Sequence, residues 1–451
     1  MVPRTVAVIG SGIAGLSAAW LLSRAHKVTL FEAEPRPGGH SNTVDATCAG
    51  VPVAVDTGFI VYNTASYPNL IALFDRLGVE TAPTDMGFAV SLGCGALEYS
   101  GSSFLSLVGH GRNVVRPAHW RMIADILRFF REAPRLLDAG CDFDPDVSLG
   151  DYLARERYSS AFIEHHILPM AAAIWSTPSR RVLDFPALSF VRFFSNHGLL
   201  QISDRPQWRT VIGGSRTYVR RMLADFDGEV RLGAPVMGIT RRPDGVSVAT
   251  ATGNRTFDAC VIATHADDAL RLLTDPDAEE RRLLGAFPYA QNRAVLHSDA
   301  ALMPRRRRLW ASWNYLGGVS GVSSSLAVTY WMNKLQPLGT GTPDLFVTLN
   351  PETAPRQGSE LAAFDYAHPV FDAPALRAQR ELWRLQGRRQ TWFCGSYFGY
   401  GFHEDGIQAG LAAAESIGGV RRPWSVPCES SRITLAPHSA MAPPKPAEMA
   451  S

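Results

Sequence analysis

Residues 5–40, TVAVIGSGIAGLSAAWLLSRAHKVTLFEAEPRPGGH, decide the fold of this 451-residue chain. An apolar, β-rich run from Thr5 to Ile9 is followed by a glycine-rich turn and a helix-compatible stretch from Leu16 to Ala25. A second apolar run, Val28 to Phe31, ends at Glu32. This order predicts a βαβ unit, and with it an α/β fold with a Rossmann-like, doubly wound and mostly parallel sheet.

The three glycines of the turn have the spacing Gly10-x-Gly12-x-x-Gly15. In a dinucleotide-binding turn they permit, in order, the tight turn, the close approach of backbone to a pyrophosphate and the close packing of helix on strand. The N–H groups at the start of the helix, at Ile13 and Ala14, favour the diphosphate charge. Glu32 is suited to accept from ribose hydroxyls. The motif predicts an adenine dinucleotide and leaves NAD and FAD open.

Length and composition indicate a globular protein with more than one domain, since a single core stops growing near roughly 250–300 residues. The chain has 46% hydrophobic residues, and its 44 basic against 42 acidic side chains give no reason to expect nucleic acid as a partner. The six cysteines show no C-x-x-C spacing, so we expect neither a metal site nor a disulfide framework. Because no apolar run is long enough to cross a bilayer, we expect a cytoplasmic protein.

The pattern of the chain predicts a cofactor domain interrupted by a mixed α+β substrate domain. Residues 1–80, 206–270 and 391–420 are assigned to the cofactor domain, because short β-rich runs return between 229 and 264 and a glycine-rich stretch begins at Phe393. The helix-rich residues 81–205 and the β-rich residues 271–390 are assigned to the substrate domain. Residues 421–451 are rich in Pro, Ser and Ala and are expected to form a disordered tail.

The residues after the second strand narrow the choice of cofactor. Glu32-Ala33-Glu34-Pro35-Arg36-Pro37-Gly38-Gly39-His40-Ser41 resembles the Glu-Ala-x-x-Arg-x-Gly-Gly-Arg-x-x-Thr run of the flavin-containing amine oxidase superfamily, which also includes protoporphyrinogen oxidases and phytoene desaturases. The resemblance implies FAD. It places Arg36, Gly38 and Gly39 beside the diphosphate and ribityl chain, with Ala33, His40 and Ser41 in the same cofactor-binding run. His40 stands where the superfamily usually has arginine.

Three further segments resemble flavin-binding segments of this superfamily. Val55-Asp56-Thr57-Gly58-Phe59-Ile60 is similar to the one whose backbone approaches the isoalloxazine ring, which marks Gly58 and Phe59. Val236 is similar to the position whose backbone pairs with the adenine. The run from Phe393 to Gly410 is similar to the C-terminal flavin segment, which implies Gly395 at the flavin edge. A helix beginning near Gly406 and Ile407 is expected to point its N–H groups at flavin N1 and O2.

A flavin without an evident second dinucleotide site is expected to take two electrons from an organic substrate and pass them to oxygen, a quinone or another acceptor. Lys334 is similar to the lysine that orients a water toward flavin N5 in many amine oxidases and is the catalytic candidate; a solvated lysine at a strand end is the alternative.

Many aromatic residues lie outside the cofactor domain, and any that line a cavity would favour an apolar substrate: Trp175, Phe190, Phe193, Phe194, Trp310, Trp313, Tyr315, Tyr330 and Trp331.

More narrowly, the chain resembles bacterial FAD-binding proteins often encoded beside cyclopropane-fatty-acyl-phospholipid synthases. This resemblance favours a dehydrogenase or desaturase of a modified, for example methyl-branched, fatty acyl chain of a phospholipid. A flavin amine oxidase and a non-catalytic flavin-binding partner of a lipid-modifying enzyme are the alternatives. The run Arg305-Arg306-Arg307-Arg308 suggests peripheral contact with anionic lipid at the inner membrane, with a solvated basic loop as the alternative.

Overall fold

The computed structural model describes residues 2–138, 143–144, 146–175, 179–201, 205–318 and 327–436. Its strands are β1 (Thr5–Ile9), β2 (Lys27–Phe31), β3 (Thr43–Cys48), β4 (Val51–Asp56), β5 (Tyr62–Asn63), β6 (Thr81–Thr84), β7 (Phe88–Leu92), β8 (Leu97–Ser100), β9 (Trp208–Val211), β10 (Glu229–Arg231), β11 (Val236–Arg242), β12 (Gly245–Thr250), β13 (Gly253–Phe257), β14 (Ala259–Ile262), β15 (Tyr289–His297), β16 (Trp313–Gly317), β17 (Ala327–Trp331), β18 (Phe346–Leu349), β19 (Glu360–Pro369) and β20 (Thr391–Phe393).

Its α-helices are α1 (Ile13–Leu22), α2 (Pro68–Leu77), α3 (Phe104–Val108), α4 (Gly111–Val114), α5 (Pro117–Glu132), α6 (Leu149–Arg155), α7 (Ser160–Phe162), α8 (Leu168–Trp175), α9 (Ala187–Asn196), α10 (Arg216–Ala224), α11 (Ala266–Leu272), α12 (Ala278–Leu284), α13 (Met332–Leu335), α14 (Ala373–Gln379) and α15 (His403–Ile417). In the described part of the chain, no helix is both long enough and apolar enough to cross a membrane.

A five-stranded parallel sheet has the strand order β10-β2-β1-β14-β20. Its strands come from the start, the middle and the end of the chain, so the predicted Rossmann-like parallel sheet is confirmed. The central strand β1 is buried along Val6, Ala7 and Val8. Such a continuous apolar run is typical of a parallel strand that is covered on both faces.

Helix α1 follows β1 and is buried at all ten of its residues. It is apolar all round because helix α15, from the other end of the sequence, packs against it. A Cβ added to Gly410 of α15 would overlap the carbonyl oxygen of Ala14 and the hydroxyl of Ser17. The two termini of the cofactor domain are therefore joined by a close helix-to-helix contact.

A second, seven-stranded sheet has the order β19-β15-β18-β17-β16-β7-β8 and is antiparallel except for the parallel pair β16 and β7. A hairpin around Gly93-Cys94-Gly95 forms its β7–β8 edge. Helices α3 to α9 follow β8. The described residues also form three smaller antiparallel sheets: β11-β12-β13, β3-β4 and β5-β9-β6.

The expectation of a disordered tail from residue 421 onward is wrong for residues 421–436. The Trp424 ring stacks on Trp20 of α1 with centroids 5.8 Å apart. Arg422 is 3% exposed, pairs with Glu415 at 2.9 Å and donates from Nη1 to the side-chain oxygen of Asn69 at 3.0 Å. A composition rich in Pro and Ser does not prevent order where buried groups of this kind find partners. The rest of the predicted tail, residues 437–451, lies outside the described residues.

Candidate active site

The three glycines of the turn between β1 and α1 have different surroundings: two are packed against protein atoms and one faces open space. Gly10 has φ +99°, and a Cβ there would lie 2.9 Å from the Ala263 carbonyl oxygen. A Cβ on Gly15 would overlap the Gly10 carbonyl oxygen, whereas a Cβ on Gly12 would meet nothing within 4 Å. The fold itself therefore requires the first and third glycines. Gly12 faces open space at the N-terminus of a ten-residue helix, which fits a diphosphate.

Glu32, directly after β2, is held in place by three donors. Ser11 donates to its Oε2 from the backbone N–H at 2.8 Å and from the hydroxyl at 2.5 Å, and the Glu34 N–H donates to its Oε1 at 2.9 Å. The backbone N–H of Ala234 donates to the Glu32 carbonyl at 2.8 Å, which brings Val236, two residues further on, near the end of β2. The acid and the Val236 strand thus lie beside the glycine turn, as an adenosine half-site requires.

The Gly38-Gly39 turn lies against the first turn. The Gly38 N–H donates to the Ser11 carbonyl at 3.1 Å, and a Cβ on Gly39 would lie 3.1 Å from the Gly12 Cα. Both glycines have positive φ, +112° and +55°, which only glycine adopts readily. Arg36 donates from Nη1 to the Gly39 carbonyl at 2.9 Å and so braces the turn. Ala33 is exposed on the approach to it.

The segment containing Gly58 and Phe59 closes on the same turn. The Phe59 N–H donates to the His40 carbonyl at 2.8 Å, and a Cβ on Gly58 would overlap that carbonyl oxygen. The Phe59 ring stacks on His403, the first residue of α15, with centroids 3.6 Å apart. His403 Nε2 in turn lies 3.0 Å from the Ser41 hydroxyl. Ser41 and Phe59 therefore meet at the start of α15.

Asp56, at the end of β4, fixes the segment that contains Gly58 and Phe59 through its hydrogen bonds. Its carboxylate accepts from the Ser215 N–H at 2.9 Å, from the Thr43 hydroxyl at 2.6 Å and from Gln336 Nε2 at 2.8 Å. Burial raises the pKa of Asp56 to about 6, with the hydrogen bonds from Thr43 and Ser215 opposing the rise. Sequence reasoning quoted Asp56 only as part of a motif and did not find Gln336, because nothing local signals their contact.

The predicted start of the C-terminal helix, in the run from Phe393 to Gly410, is wrong by about one turn. Helix α15 begins at His403, earlier than the expected start near Gly406 and Ile407. The reason is a cap: Asp405 Oδ2 accepts from the Phe402 N–H at 2.8 Å. The Gly406 N–H already donates to the Phe402 carbonyl, and a Cβ on Gly406 would lie 2.8 Å from the Ile13 side chain. Gly406 serves helix packing, and the free N–H groups belong to the residues before it.

The residues that follow Gly395 leave no room for a side chain at this position. Gly395 precedes the 3-10 turn Ser396–Phe398, and a Cβ on it would lie 2.5 Å from the Tyr397 ring. Since β20 ends two residues earlier at the C-terminal edge of the parallel sheet, Gly395 lies on the edge where such folds bind ligands.

Three half-buried histidines lie beside the Gly38-Gly39 turn: His40, His265 and His368. The His40 ring centroid lies 5.3 Å from that of His368, 6.1 Å from that of His265 and 5.0 Å from that of Tyr366. Burial lowers the pKa of His368 to about 4 and that of His40 well below its usual value. Within the described residues, His40 Nε2 is buried without a hydrogen-bond partner. A polar atom of a bound cofactor would satisfy it, which agrees with the open space at Gly12.

Lys334 lies in a different setting from these groups. Its ammonium is 3.1 Å from Asp85 Oδ2 and 5.5 Å from the Trp331 ring centroid, and its side chain is 35% exposed. Gln336, two residues later, contacts Asp56 instead: its Nε2 donates to Asp56 Oδ2 at 2.8 Å, and its Oε1 accepts from the Asp56 N–H at 2.9 Å. The catalytic role of Lys334 stays a prediction.

The His165-His166 pair and the groups at the start of α11 do not join this site. His166 Nδ1 lies 3.1 Å from the hydroxyl of Tyr99 in β8. The ligand atoms of His265, Asp267 and Asp268 lie within 4.8 Å of one another, but Asp267 is exposed and clusters of acidic groups are common without an ion.

Comparisons with known proteins identify the family. Residues 13–300 match the family model described as flavin containing amine oxidoreductase. A Mycobacterium tuberculosis protein assigned as a flavin-containing monoamine oxidase is 28% identical over 340 residues, which make up 72% of this chain and 70% of that protein.

Two solved structures share the fold. Wild-type putrescine oxidase matches with a TM-score of 0.65 at 18% identity, covering 92% of this chain and 99% of its own. A fatty acid isomerase from P. acnes that produces CLA matches with a TM-score of 0.65 at 16% identity, covering 91% of this chain and 97% of its own.

Fold and site together define an FAD-dependent oxidoreductase. The family model spans more than half of the chain, so the chain belongs to the flavin containing amine oxidoreductase family.

Proposed function

We propose that this flavoenzyme oxidises an apolar carbon chain, with a modified fatty acyl chain of a phospholipid as the favoured substrate. The observation that carries the proposal is a buried aromatic layer between α9 and the start of α15. Bound FAD supplies the chemistry of accepting a hydride and passing two electrons to a further acceptor. The residues of the chain determine which molecule can reach it.

The aromatic layer is built from stacked rings. Phe193 of α9 stacks on Phe402, the residue that precedes α15, with centroids 5.0 Å apart, and on His197 at 4.0 Å. Phe190 stacks on Phe194 at 4.1 Å. Burial lowers the pKa of His197 to about 3, so its imidazole is neutral at physiological pH. Buried aromatic surface of this kind favours contact with hydrocarbon over contact with a hydrated ion.

The buried carboxylates near α15 are engaged by the protein. Glu404 accepts from Asn69 Nδ2 at 2.7 Å and from the Leu70 N–H at 3.1 Å, and Asp405 lies 3.2 Å from the Arg432 guanidinium. Asp56 has the three donors described above. Burying an ammonium without a matching anion is costly. The arrangement therefore favours a neutral substrate over a polyamine.

A flavin amine oxidase is the second candidate. The family assignment and the 28% identical relative from M. tuberculosis favour it. The solved structures that share the fold include both an amine oxidase and a fatty acid isomerase, so the likeness in fold does not choose between the two substrate classes.

Anaerobic reduction of the holoprotein separates the candidates. The purified protein is mixed in turn with methyl-branched phospholipids, with straight-chain phospholipids and with amines such as putrescine and benzylamine, while the flavin absorbance is followed. We expect bleaching by a phospholipid and none by the amines. Dithionite added at the end reduces any intact flavin and serves as the control. Bleaching by an amine, followed by hydrogen peroxide release in air, would establish the second candidate instead.

A further inference from the structure

The helices that follow β8 expose an unusual number of apolar side chains. Among the described residues, six of the twelve large apolar side chains that are exposed fall between positions 104 and 127: Phe104, Leu105, Val114, Val115, Trp120 and Leu127. Phe104 is 65%, Leu105 82% and Val115 79% exposed. A cluster of this kind on a surface marks an interaction site rather than ordinary scatter.

These residues belong to one structural unit, α3 to α5. Trp120 Nε1 of α5 donates to the Val114 carbonyl of α4 at 2.8 Å, and His119 Nε2 lies 3.1 Å from the Leu107 carbonyl of α3. The opposite side of α5 is buried through Met122, Ile126 and Phe129. One side of this helical unit is therefore packed into the protein core. Its exposed side has no partner among the described residues.

The same surface is strongly basic, although the whole chain is nearly balanced in charge. The sequence has no Asp or Glu from residue 99 to 124, but it has Arg112, Arg116 and Arg121. The run of residues 305–308 joins them, since Arg308 donates to the Gly109 carbonyl at 3.3 Å. The sequence run that suggested lipid contact therefore lies beside the exposed apolar helices.

A cavity of about 460 Å³ lies at the turn between β7 and β8 and is lined by Gly93, Cys94, Gly95, Ala96, Arg112, Arg305 and Arg306. Arg306 is neutralised by Glu98, whose Oε2 lies 2.6 Å away. The guanidinium groups of Arg112 and Arg305 have no ion-pair partner in the part of the chain that the structure describes. Two guanidinium groups without ion-pair partners at one cavity match a phosphate in charge.

We propose that residues 104–127 and 305–308 form a membrane-docking face for bilayers that contain anionic phospholipids. Phe104, Leu105 and Trp120 enter the headgroup region, and Arg112 and Arg305 bind lipid phosphates in the cavity. Apolar side chains interleaved with arginines are the features by which proteins lie on a membrane without crossing it. The inference stands independently of the substrate proposed above, because it concerns a surface and not the oxidation.

Flotation of the holoprotein with vesicles tests the membrane-docking face. We expect binding to vesicles of phosphatidylcholine with phosphatidylglycerol and much weaker binding to phosphatidylcholine alone. The double variant Arg112→Gln/Arg305→Gln should lower partitioning into anionic vesicles about 30-fold, equivalent to ~1 kcal/mol for each arginine. The variant Phe104→Ser/Leu105→Ser should also reduce binding, with flavin absorbance unchanged because both side chains are exposed.

Matched controls lie elsewhere on the surface. Met237 is 63% exposed, and the side chain of Arg271 is 74% exposed. Met237→Ser and Arg271→Gln should bind vesicles like the wild type. Brominated acyl chains should quench Trp120, and Trp120→Phe should remove that quenching. Equal vesicle binding by the Phe104→Ser/Leu105→Ser variant and the wild type would overturn the proposal. So would self-association through this face with no vesicle binding.

Discussion

Gly410 of α15 packs directly against the carbonyl oxygen of Ala14 in α1, with no room for a side chain between them. We expect Gly410→Ala to force the two helices apart, at a cost of roughly 1–3 kcal/mol in the free energy of unfolding. The purified variant should also retain less FAD. Denaturant titration and the ratio of flavin to protein absorbance measure both effects. Gly111→Ala is the control, since a Cβ there meets nothing within 4 Å.

Gly12→Ala should behave differently from both other glycine variants of the turn. Gly12 has φ −64° and open space around it, so the apoprotein should keep its stability within about 1 kcal/mol. A methyl group at that position blocks the approach of a diphosphate, so FAD affinity should fall at least about 10-fold. Gly15→Ala, by contrast, should destabilise the apoprotein. Titration of each apoprotein with FAD checks the distinction, and wild-type affinity in Gly12→Ala would contradict it.

Glu32→Gln should weaken FAD binding by about 10- to 100-fold, because hydrogen bonds to a charged acceptor contribute about 1.5–3 kcal/mol. The glutamine retains one oxygen for the Ser11 donors, so the fold should persist. Calorimetric titration of the apoprotein with FAD gives the affinity. Glu34→Gln, at an exposed position two residues later, should bind FAD like the wild type.

The Asp405–Arg432 pair should show strong coupling in a double-mutant cycle. The side chains are 0% and 7% exposed, and burial raises the pKa of Asp405 while Arg432 opposes the rise. Arg432→Gln leaves the carboxylate buried without its cation and should cost about 3–5 kcal/mol. Adding Asp405→Asn keeps the oxygen that caps Phe402 and should recover a large part of the loss. Chemical denaturation of the four proteins measures the coupling, and purely additive effects would refute it.

His297 should make the protein less stable in acid. It is fully buried, its Nδ1 accepts from the Asp299 N–H at 3.1 Å, and burial lowers its pKa to about 4. Since the unfolded chain has a pKa near 6.5, the neutral imidazole stabilises the fold fully above that pH. The contribution falls by about 2 kcal/mol between pH 7 and pH 5.

Replacing the imidazole tests this dependence. His297→Gln should show a smaller drop in Tm from pH 7 to pH 5 than the wild type, although His166, His197 and His368 still contribute. The comparison uses holoprotein at equal ionic strength. Parallel Tm curves for the variant and the wild type would show that His297 does not titrate as described.

The glycines and the apolar strands of residues 5–40 were enough to predict the parallel sheet, because each of their roles is local. A tight turn, a helix start and an acid at a strand end depend on a few neighbouring residues. The resemblance that implied FAD likewise rested on contiguous motifs, and the family match agrees with it. The sequence by itself thus determined the fold class and the cofactor.

Only the tertiary structure decided the rest, since the contacts involved join residues far apart in the chain. His40 and His368 meet only because β19 of one sheet packs beside the Gly38-Gly39 turn of the other domain. The start of α15 depends on the buried Asp405, whose cation, Arg432, comes from a segment with the composition of a tail. The apolar face of α3 to α5 became visible only once the fold showed which of its side chains are left exposed. Local patterns carry no record of such partners, because burial is set by the whole assembled chain.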